Sequence, residues 1–496
     1  MLNAADRTTI KLSTPVSSPA SIAHPDLAFC VDLDGTLVRT DTLVELCLSM
    51  LRKAPWRIFF IPFWVMAGKA CLKRKLSLFG TLQVENLPYR HDLLELLRAE
   101  ASAGRRLILV SGADHSIARR VADHLDLFDD VLGSDGEKNL VGAQKVVAIQ
   151  TLLGPQGFIY AGNSRDDFPV WMSASGAIVV NAPRSYPTRL ERQGKSVVRV
   201  FPGHARSWRP FLKSIRIYQW SKNSLIFVPL LLSHKIFDLA LDLKGLLGFL
   251  AFSLAASSLY VVNDLLDIEA DRKHPRKRKR PFAAGELSIP AGLVLAAFLV
   301  CASGFLSIWL SWPARFLMAG YCVASLAYSL FLKRHLFIDV VLLASFFTLR
   351  LMFGGVATGI EISIWTLAFS MFLFLSLALM KRLTELRLVL TPDKPALDGR
   401  GYVAADLPLI SSLSAASGLL AVLVLALYLQ SAEVHSIYSH SYLLWLMCPL
   451  LLYWLGRFAI LANRGYIHDD PVVFAFTDRA SLIVGVLAVG VMLCAI

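Results

Sequence analysis

Hydrophobic and polar positions divide the chain near residue 205. Ahead of that point short apolar runs stand among polar sequence, as in Ala28-Phe29-Cys30-Val31, Leu107-Ile108-Leu109-Val110 and Phe158-Ile159-Tyr160-Ala161. Continuous apolar runs of this length predict strands buried on both faces, and residues 1–205 read as a soluble α/β sequence. From Trp208 onward the apolar runs lengthen. They fall near 211–232, 243–262, 290–311, 314–332, 336–358, 364–380, 406–429, 442–462 and 481–496, and stretches of that length predict transmembrane helices, about nine in all. Residues 1–25 are rich in Ser, Thr, Ala and Pro without an apolar centre, which predicts a disordered leader and not a signal peptide. The expected organisation is a leader over 1–25, an α/β domain over 26–205 with a cap insertion near 41–95, and an all-α polytopic membrane bundle over 206–496.

Charge adds a topology. Of the loops between apolar stretches, one alternate set holds Arg272–Arg280, Lys333 with Arg334, Lys381 through Arg400, and Arg464 with Arg479; the other holds almost no Lys or Arg. The basic set is expected on the cytoplasmic side of a bacterial-type inner membrane, with the N-terminal domain on the same face. The net charge of +13 lies mainly in these short loops, so membrane surface and anionic substrates explain it, and no nucleic-acid-reading element stands out. The seven cysteines are scattered, with neither metal-ligand nor disulfide spacing.

One loop carries unusual chemistry. Asn263-Asp264-Leu265-Leu266-Asp267-Ile268-Glu269-Ala270-Asp271 is followed by Arg272, Lys273, Arg276, Lys277, Arg278, Lys279 and Arg280. At helical spacing Asp264, Asp267 and Asp271 fall at i, i+3 and i+7, predicting three carboxylates on one face. Such a face suits Mg²⁺, which shares its remaining positions with water and substrate phosphates, and the adjoining cations suit phosphate oxygens. A loop whose cations merely fix topology would explain the basic residues but not the acids. The same side of the predicted bundle collects Arg216 through Asn223, Tyr328, Lys333, Asp339, Arg350, Lys381-Arg382-Leu383-Thr384-Glu385, and Asp469, Asp470, Asp478 with Arg479.

Over about residues 208–496, the pattern Asn263-Asp264-x-x-Asp267-x-x-x-Asp271 resembles the UbiA prenyltransferase superfamily of integral membrane enzymes. Within it, Gln219-Trp220-Ser221-Lys222-Asn223, Arg272 through Gly285, Lys381 through Glu385 and Asp470-Pro471 through Asp478-Arg479 are most similar to the decaprenyl-phosphate phosphoribosyltransferases. Aromatic prenyltransferases of the superfamily typically carry a second Asp-x-x-x-Asp; here Lys381-Arg382-x-x-Glu385 occupies its place. The resemblance implies that a polyprenyl phosphate attacks C1 of 5-phosphoribosyl diphosphate and expels pyrophosphate. It implies Mg²⁺ on Asp264, Asp267 and Asp271, with Asn263 as a polar orienter. Lys273, Arg278 and Arg280 are phosphate candidates, Lys222, Lys333, Lys381 and Arg382 follow, and Glu385 orients a cation or a ribose hydroxyl. Prenyl transfer from a prenyl diphosphate to an aromatic acceptor is the alternative. A transporter or scaffold with a sensor domain is a reading of another class.

Over about 28–185 the chain resembles the haloacid dehalogenase (HAD) phosphatase superfamily. Asp32-Leu33-Asp34-Gly35-Thr36 matches its first motif, Ser111 at the end of an apolar run its second, Lys145 within Asn139-Leu140-x-Gly142-x-x-Lys145 its third, and Gly162-Asn163-Ser164-Arg165-Asp166-Asp167 its fourth. The resemblance implies that Asp32 attacks a phosphoryl group, Asp34 is the acid/base, Ser111 holds the phosphoryl group, Lys145 supplies a cation, and Asp32, position 163 and Asp167 face Mg²⁺. Asn163 departs from the usual Asp and lacks its charge, which leaves open a weakened phosphatase or a degenerate regulatory domain. The two resemblances together imply a bifunctional enzyme whose HAD domain removes the 5-phosphate of the transferase product. Between motifs one and two, Trp56 through Met66 is too short for a span; flanked by Arg52, Lys53, Lys69, Lys73, Arg74 and Lys75, it predicts either a cap leaning on the membrane surface or a buried cap core.

Overall fold

The structure is a computed structural model describing residues 26–203, 207–389, 401–467 and 471–496. The predicted leader, Asp469 and Asp470 lie outside the described residues. Contacts divide the chain into two compact units. One holds the described residues up to Pro210 together with Asp267–Ile289; the other holds Phe211–Leu266 and Pro290–Ile496.

The first unit is built on a six-stranded parallel sheet of order β3-β2-β1-β4-β5-β6. Its strands are β1 (Ala28–Val31), β2 (Leu107–Asp114), β3 (Asp130–Ser134), β4 (Phe158–Gly162), β5 (Gly176–Val180) and β6 (Val197–Phe201). Side chains alternate across the pleat. Phe29, Val31, Leu109, Ile159 and Ile178 enter one core, whereas Cys30, Ile108, Val110, Tyr160 and Val179 enter the other. Two buried faces are why these segments read as unbroken apolar runs. In register, Val31 pairs with both Leu109 and Ala161. Asp32 and Asn163, just past the ends of β1 and β4, and Ser111, in the C-terminal half of β2, are therefore delivered to one edge of the sheet, beside the central strand where the order reverses.

Between β1 and β2 lie α1 (Thr42–Lys53), a 3₁₀ turn over Pro55–Phe60, α2 (Ile61–Met66), α3 (Lys69–Phe79) and α4 (His91–Ser102). Asp41 caps α1 by accepting from the backbone N–H of Leu43 and Val44. Within Pro55–Met66 no residue is buried; Phe59 and Met66 are 74% and 85% exposed. These residues do not form the buried cap core, although Ile61 and Trp64 pack partly against the sheet's core.

The second unit is helical. Among the described residues six helices are long and apolar enough to cross a membrane, with bounds Leu239–Leu266, Ile289–Ser307, Ile338–Thr358, Ile364–Arg387, Ala404–Leu429 and Ser441–Asn463. That is fewer than the nine or so read from hydropathy. The first expected span, 211–232, is not one helix. Arg216 takes a left-handed conformation with φ 56°, and the apolar residues after it form a 3₁₀ segment (Ile217–Phe227) and a short helix (Val228–Leu232). The last, Arg479–Ala495, has 17 residues.

Candidate functional site

At the sheet's C-terminal edge the HAD-motif residues form one buried network. Lys145, in the first turn of the helix Ala143–Leu153, places Nζ 2.8 Å from Asp32 Oδ1, 3.1 Å from Asp167 Oδ1 and 2.8 Å from the Tyr160 hydroxyl. Burial works against the ammonium, but the two carboxylates hold its pKa above the ordinary lysine value. Asp32 also accepts from Thr36 Oγ1 at 3.2 Å; burial raises its pKa to about 6, against the pull of Lys145. An attacking carboxylate must be ionised, and the Lys145 ammonium beside it favours that form. Asp34 accepts from the Thr42 N–H, the first residue of α1, at 2.8 Å. Burial, then the neighbouring Asp41 charge, push Asp34 up to about 7, so it holds or yields a proton near neutrality. Ser111 is fully buried in β2, its Oγ accepting from the Ala113 N–H.

Asp167 is engaged by protein donors on both oxygens. Its Oδ1 accepts from Tyr160 and Lys145, and its Oδ2 from the N–H groups of Asn163 and Ser164 and from the Ser164 hydroxyl. A carboxylate with five donors is an anchor for the Lys145 side chain and the turn after β4. Asn163 presses its amide on the nucleophile turn: a Cβ at Gly35, which has φ +73°, would sit 1.9 Å from Asn163 Nδ2. With Asp167 engaged and an amide at 163, Asp32, itself bonded to Lys145 and Thr36, is the one other carboxylate among the three expected ligands. Among the described residues no group of three His, Cys, Asp or Glu could hold a metal ion. The residues do not fit a tight Mg²⁺ centre here; the resident cation of the network is Lys145. Lys138 is exposed, its backbone N–H bonded to Asp135.

Tyr160 and Lys73 were not singled out as site residues from sequence. Tyr160 reads as a core strand aromatic, and only tertiary packing brings its hydroxyl to Asp167. Lys73, on α3, donates to the Gly112 carbonyl and to Asn139 Oδ1 at 2.6 Å, beside Ser111. Burial lowers its pKa, opposed by the Asp34 and Asp41 charges. Locally Lys73 is one cation in a basic run, and nothing in that run marks it out.

The acidic motif departs from the single-face expectation. The helix Leu239–Leu266 stops, and Asp267 (φ −100°) starts a separate short helix, Ile268–Lys273. Asp264, Asp267 and Asp271 therefore do not lie along one helix. Asp264 is buried and paired with Arg216, and Asn263 beside it is half-buried. Asp271, also buried, pairs with Arg280 at 2.6 Å. Asp267 lies 4.0 Å from Arg52 of α1. Each of the three carboxylates is thus paired with an arginine, and the finding that no group of three His, Cys, Asp or Glu among the described residues could hold a metal ion covers them too; their oxygens are of the kind Mg²⁺ takes. Lys273 and Arg278 are exposed.

Of the other predicted phosphate ligands, Arg382 is turned inward. It is fully buried, 2.7 Å from fully buried Asp339, and paired with Glu385; Asp339 also accepts from the Tyr402 hydroxyl at 2.6 Å. This is an internal ion-pair cluster. Lys222 is buried with Nζ 5.8 Å from the Phe347 ring. Lys333 sits in a 3₁₀ turn and Lys381 near the end of the helix Ile364–Val389, both half-buried.

Residues 225–479 match the family model described as the UbiA prenyltransferase family, and residues 29–171 match that of the haloacid dehalogenase-like hydrolases. Protein y4nM of Sinorhizobium fredii is 38% identical over 93% of this chain and 89% of its own length. Nodulation protein NoeC of Azorhizobium caulinodans is 33% identical over 55% of this chain and 89% of its own. The decaprenyl-phosphate phosphoribosyltransferase of Mycolicibacterium smegmatis is 38% identical over 36% of this chain and 57% of its own length. With more than half of its length matched by that model, the chain belongs to the UbiA prenyltransferase family and carries a haloacid dehalogenase-like domain ahead of the membrane region.

Proposed function

We propose that the membrane half transfers a phosphoribosyl group from 5-phosphoribosyl diphosphate to a polyprenyl phosphate, and that the HAD domain then removes the 5-phosphate. The observation that carries the first step is the 183-residue similarity to decaprenyl-phosphate phosphoribosyltransferases. In that step a lipid phosphate oxygen bonds to ribose C1 as the C1–O bond to pyrophosphate breaks. Asp264, Asp267 and Asp271 would hold Mg²⁺, with Asn263 as a polar orienter, and the ion would supply neutralisation of the diphosphate leaving group. Lys273, Arg278 and Arg280 add cations for a reaction that gathers several phosphate groups. In the second step Asp32 attacks the 5-phosphate phosphorus and the ester bond to ribose breaks, with Asp34 giving the ribose oxygen a proton. Water then releases phosphate from Asp32 while Asp34 takes the proton back. Lys145 holds Asp32 in place and offsets charge as the phosphoryl group arrives.

The lipid product stays in the bilayer, so a tethered phosphatase meets it at high effective concentration. The exposed aromatic face of the cap, with Arg52, Lys53, Lys69 and Arg74 near it, suits contact with an anionic cytoplasmic leaflet. Prenyl transfer to an aromatic acceptor remains the second reading, favoured by the family model's description.

Purified enzyme is supplied with Mg²⁺, polyprenyl phosphate and radiolabelled phosphoribosyl diphosphate, and in parallel with prenyl diphosphate and hydroxybenzoate. Labelled lipid is expected from the first pair only; its absence overturns the proposal. Asp32→Asn is expected to accumulate the lipid-linked 5-phosphate, seen by mass spectrometry. If the dephosphorylated lipid forms as in wild type, the HAD step is wrong.

A further inference from the structure

Within the basic run 272–280, Arg272 is turned inward. Arg272 has a side chain 6% exposed and gives Nη1 and Nη2 to the two oxygens of Glu45, 2.8 and 2.6 Å away, where Glu45 is 4% exposed. Its Nε donates to the Ala283 carbonyl at 3.1 Å, closing the loop on itself. A bidentate fork fixes orientation as well as distance. Glu45 lies in the first turn of α1, the helix whose leading N–H binds Asp34, and Arg52 in the last turn of α1 lies 4.0 Å from Asp267. The far end of the loop is seated too. Gly285 has φ +70°, and a Cβ there would come within 2.8 Å of Arg39 Cβ. The acid-to-basic segment is thus held at its start, middle and end by the HAD fold.

We propose that Glu45 is a positioning residue for the transferase: through Arg272 it sets where Lys273 and Arg278 are presented to a diphosphate donor. The inference rests on the reading that this loop takes the donor's diphosphate. Arg272 is accordingly a clamp, with three of its N–H groups spent on protein, while its exposed neighbours serve the ligand.

The test uses the full chain in nanodiscs, with steady-state transfer measured against each substrate. Glu45→Gln keeps size and removes charge; it is expected to raise the KM for the donor about tenfold, with kcat and the lipid KM within about twofold. Glu45→Asp should recover part of the loss, and the exchanged pair E45R/R272E more. A donor KM unchanged in Glu45→Gln overturns the inference, as does a uniform fall in active enzyme with no donor-specific shift. If wild type consumes prenyl diphosphate instead, the phosphoribosyl reading fails, while the same KM split on that donor still decides the role of Glu45. Limited trypsin digestion gives a readout free of turnover: cleavage after residues 272–280 should quicken in Glu45→Gln, and an unchanged rate sinks the clamp.

Discussion

At residue scale, position 163 separates this HAD site from a strongly metal-dependent one. Asp32 is a buried and Asp34 a half-buried carboxylate, both with raised pKa values, Lys145 is the nearby cation, and Asn163 contributes an amide without charge. Adding a carboxylate at 163 makes the site hungrier for a divalent ion, because two anions beside Asp34 repel unless neutralised. Asn163→Asp is therefore expected to lower the Mg²⁺ concentration for half-maximal phosphate-monoester hydrolysis by roughly tenfold. Titrating Mg²⁺ against hydrolysis in both forms checks this, and coincident curves would show that residue 163 does not face the metal position. The sequence made Asp32, Asp34, Ser111 and Lys145 visible because their neighbours in the chain are distinctive. Tyr160, Lys73 and Glu45 were not visible. Each sits in a locally ordinary strand or helix and acquires its partner from a segment 7, 66 and 227 residues away respectively.

At the scale of elements, the buried cluster of Asp339, Arg382, Glu385 and Tyr402 ties the helix Ile338–Thr358 to Ile364–Val389. Breaking a buried ion pair by deleting one partner strands the other charge, whereas replacing both by apolar groups is often close to neutral. Asp339→Ala is expected to destabilise the protein by about 3 kcal/mol, read as a lowered melting temperature in detergent. The joint Asp339→Leu, Arg382→Met change should recover most of that loss. Should Asp339→Ala melt like wild type yet lose transfer, Arg382 belongs to the substrate after all. The strands were legible because a sheet buried on both faces writes itself as apolar runs. Two helical features were not. The hydropathy of 211–232 is that of a span, and nothing in it announces the left-handed turn at Arg216. The spacing Asp264, Asp267, Asp271 suits one helix, but the pairs Arg216–Asp264, Arg52–Asp267 and Arg280–Asp271 belong to a chain that breaks at Asp267. Side-chain spacing predicts a face only where the backbone stays helical.

At the scale of the whole molecule, the first compact unit is discontinuous in sequence: Asp267–Ile289 joins the sheet-bearing fold although residues on both sides of it belong to the helical unit. Cutting such a chain at the apparent boundary near residue 205 removes Glu45, Arg52 and Arg39, and with them the supports of the segment that follows the membrane helix. Arg272 would lose its bidentate partner and, with the fold that covers it gone, its fixed orientation. A chain beginning at residue 206 is therefore expected to insert as membrane protein but to lose most donor-dependent transfer, and residues 1–205 supplied in trans should restore part of it. Both halves are checked by expressing the fragments singly and together in membranes and counting labelled lipid. Full transfer by the short chain alone would mean that the loop organises itself, and the HAD fold would then be an enzyme merely tethered to the transferase. Loss with rescue would make it a structural part of that transferase, which gives a physical reason for carrying the two in one polypeptide beyond the proximity of their reactions.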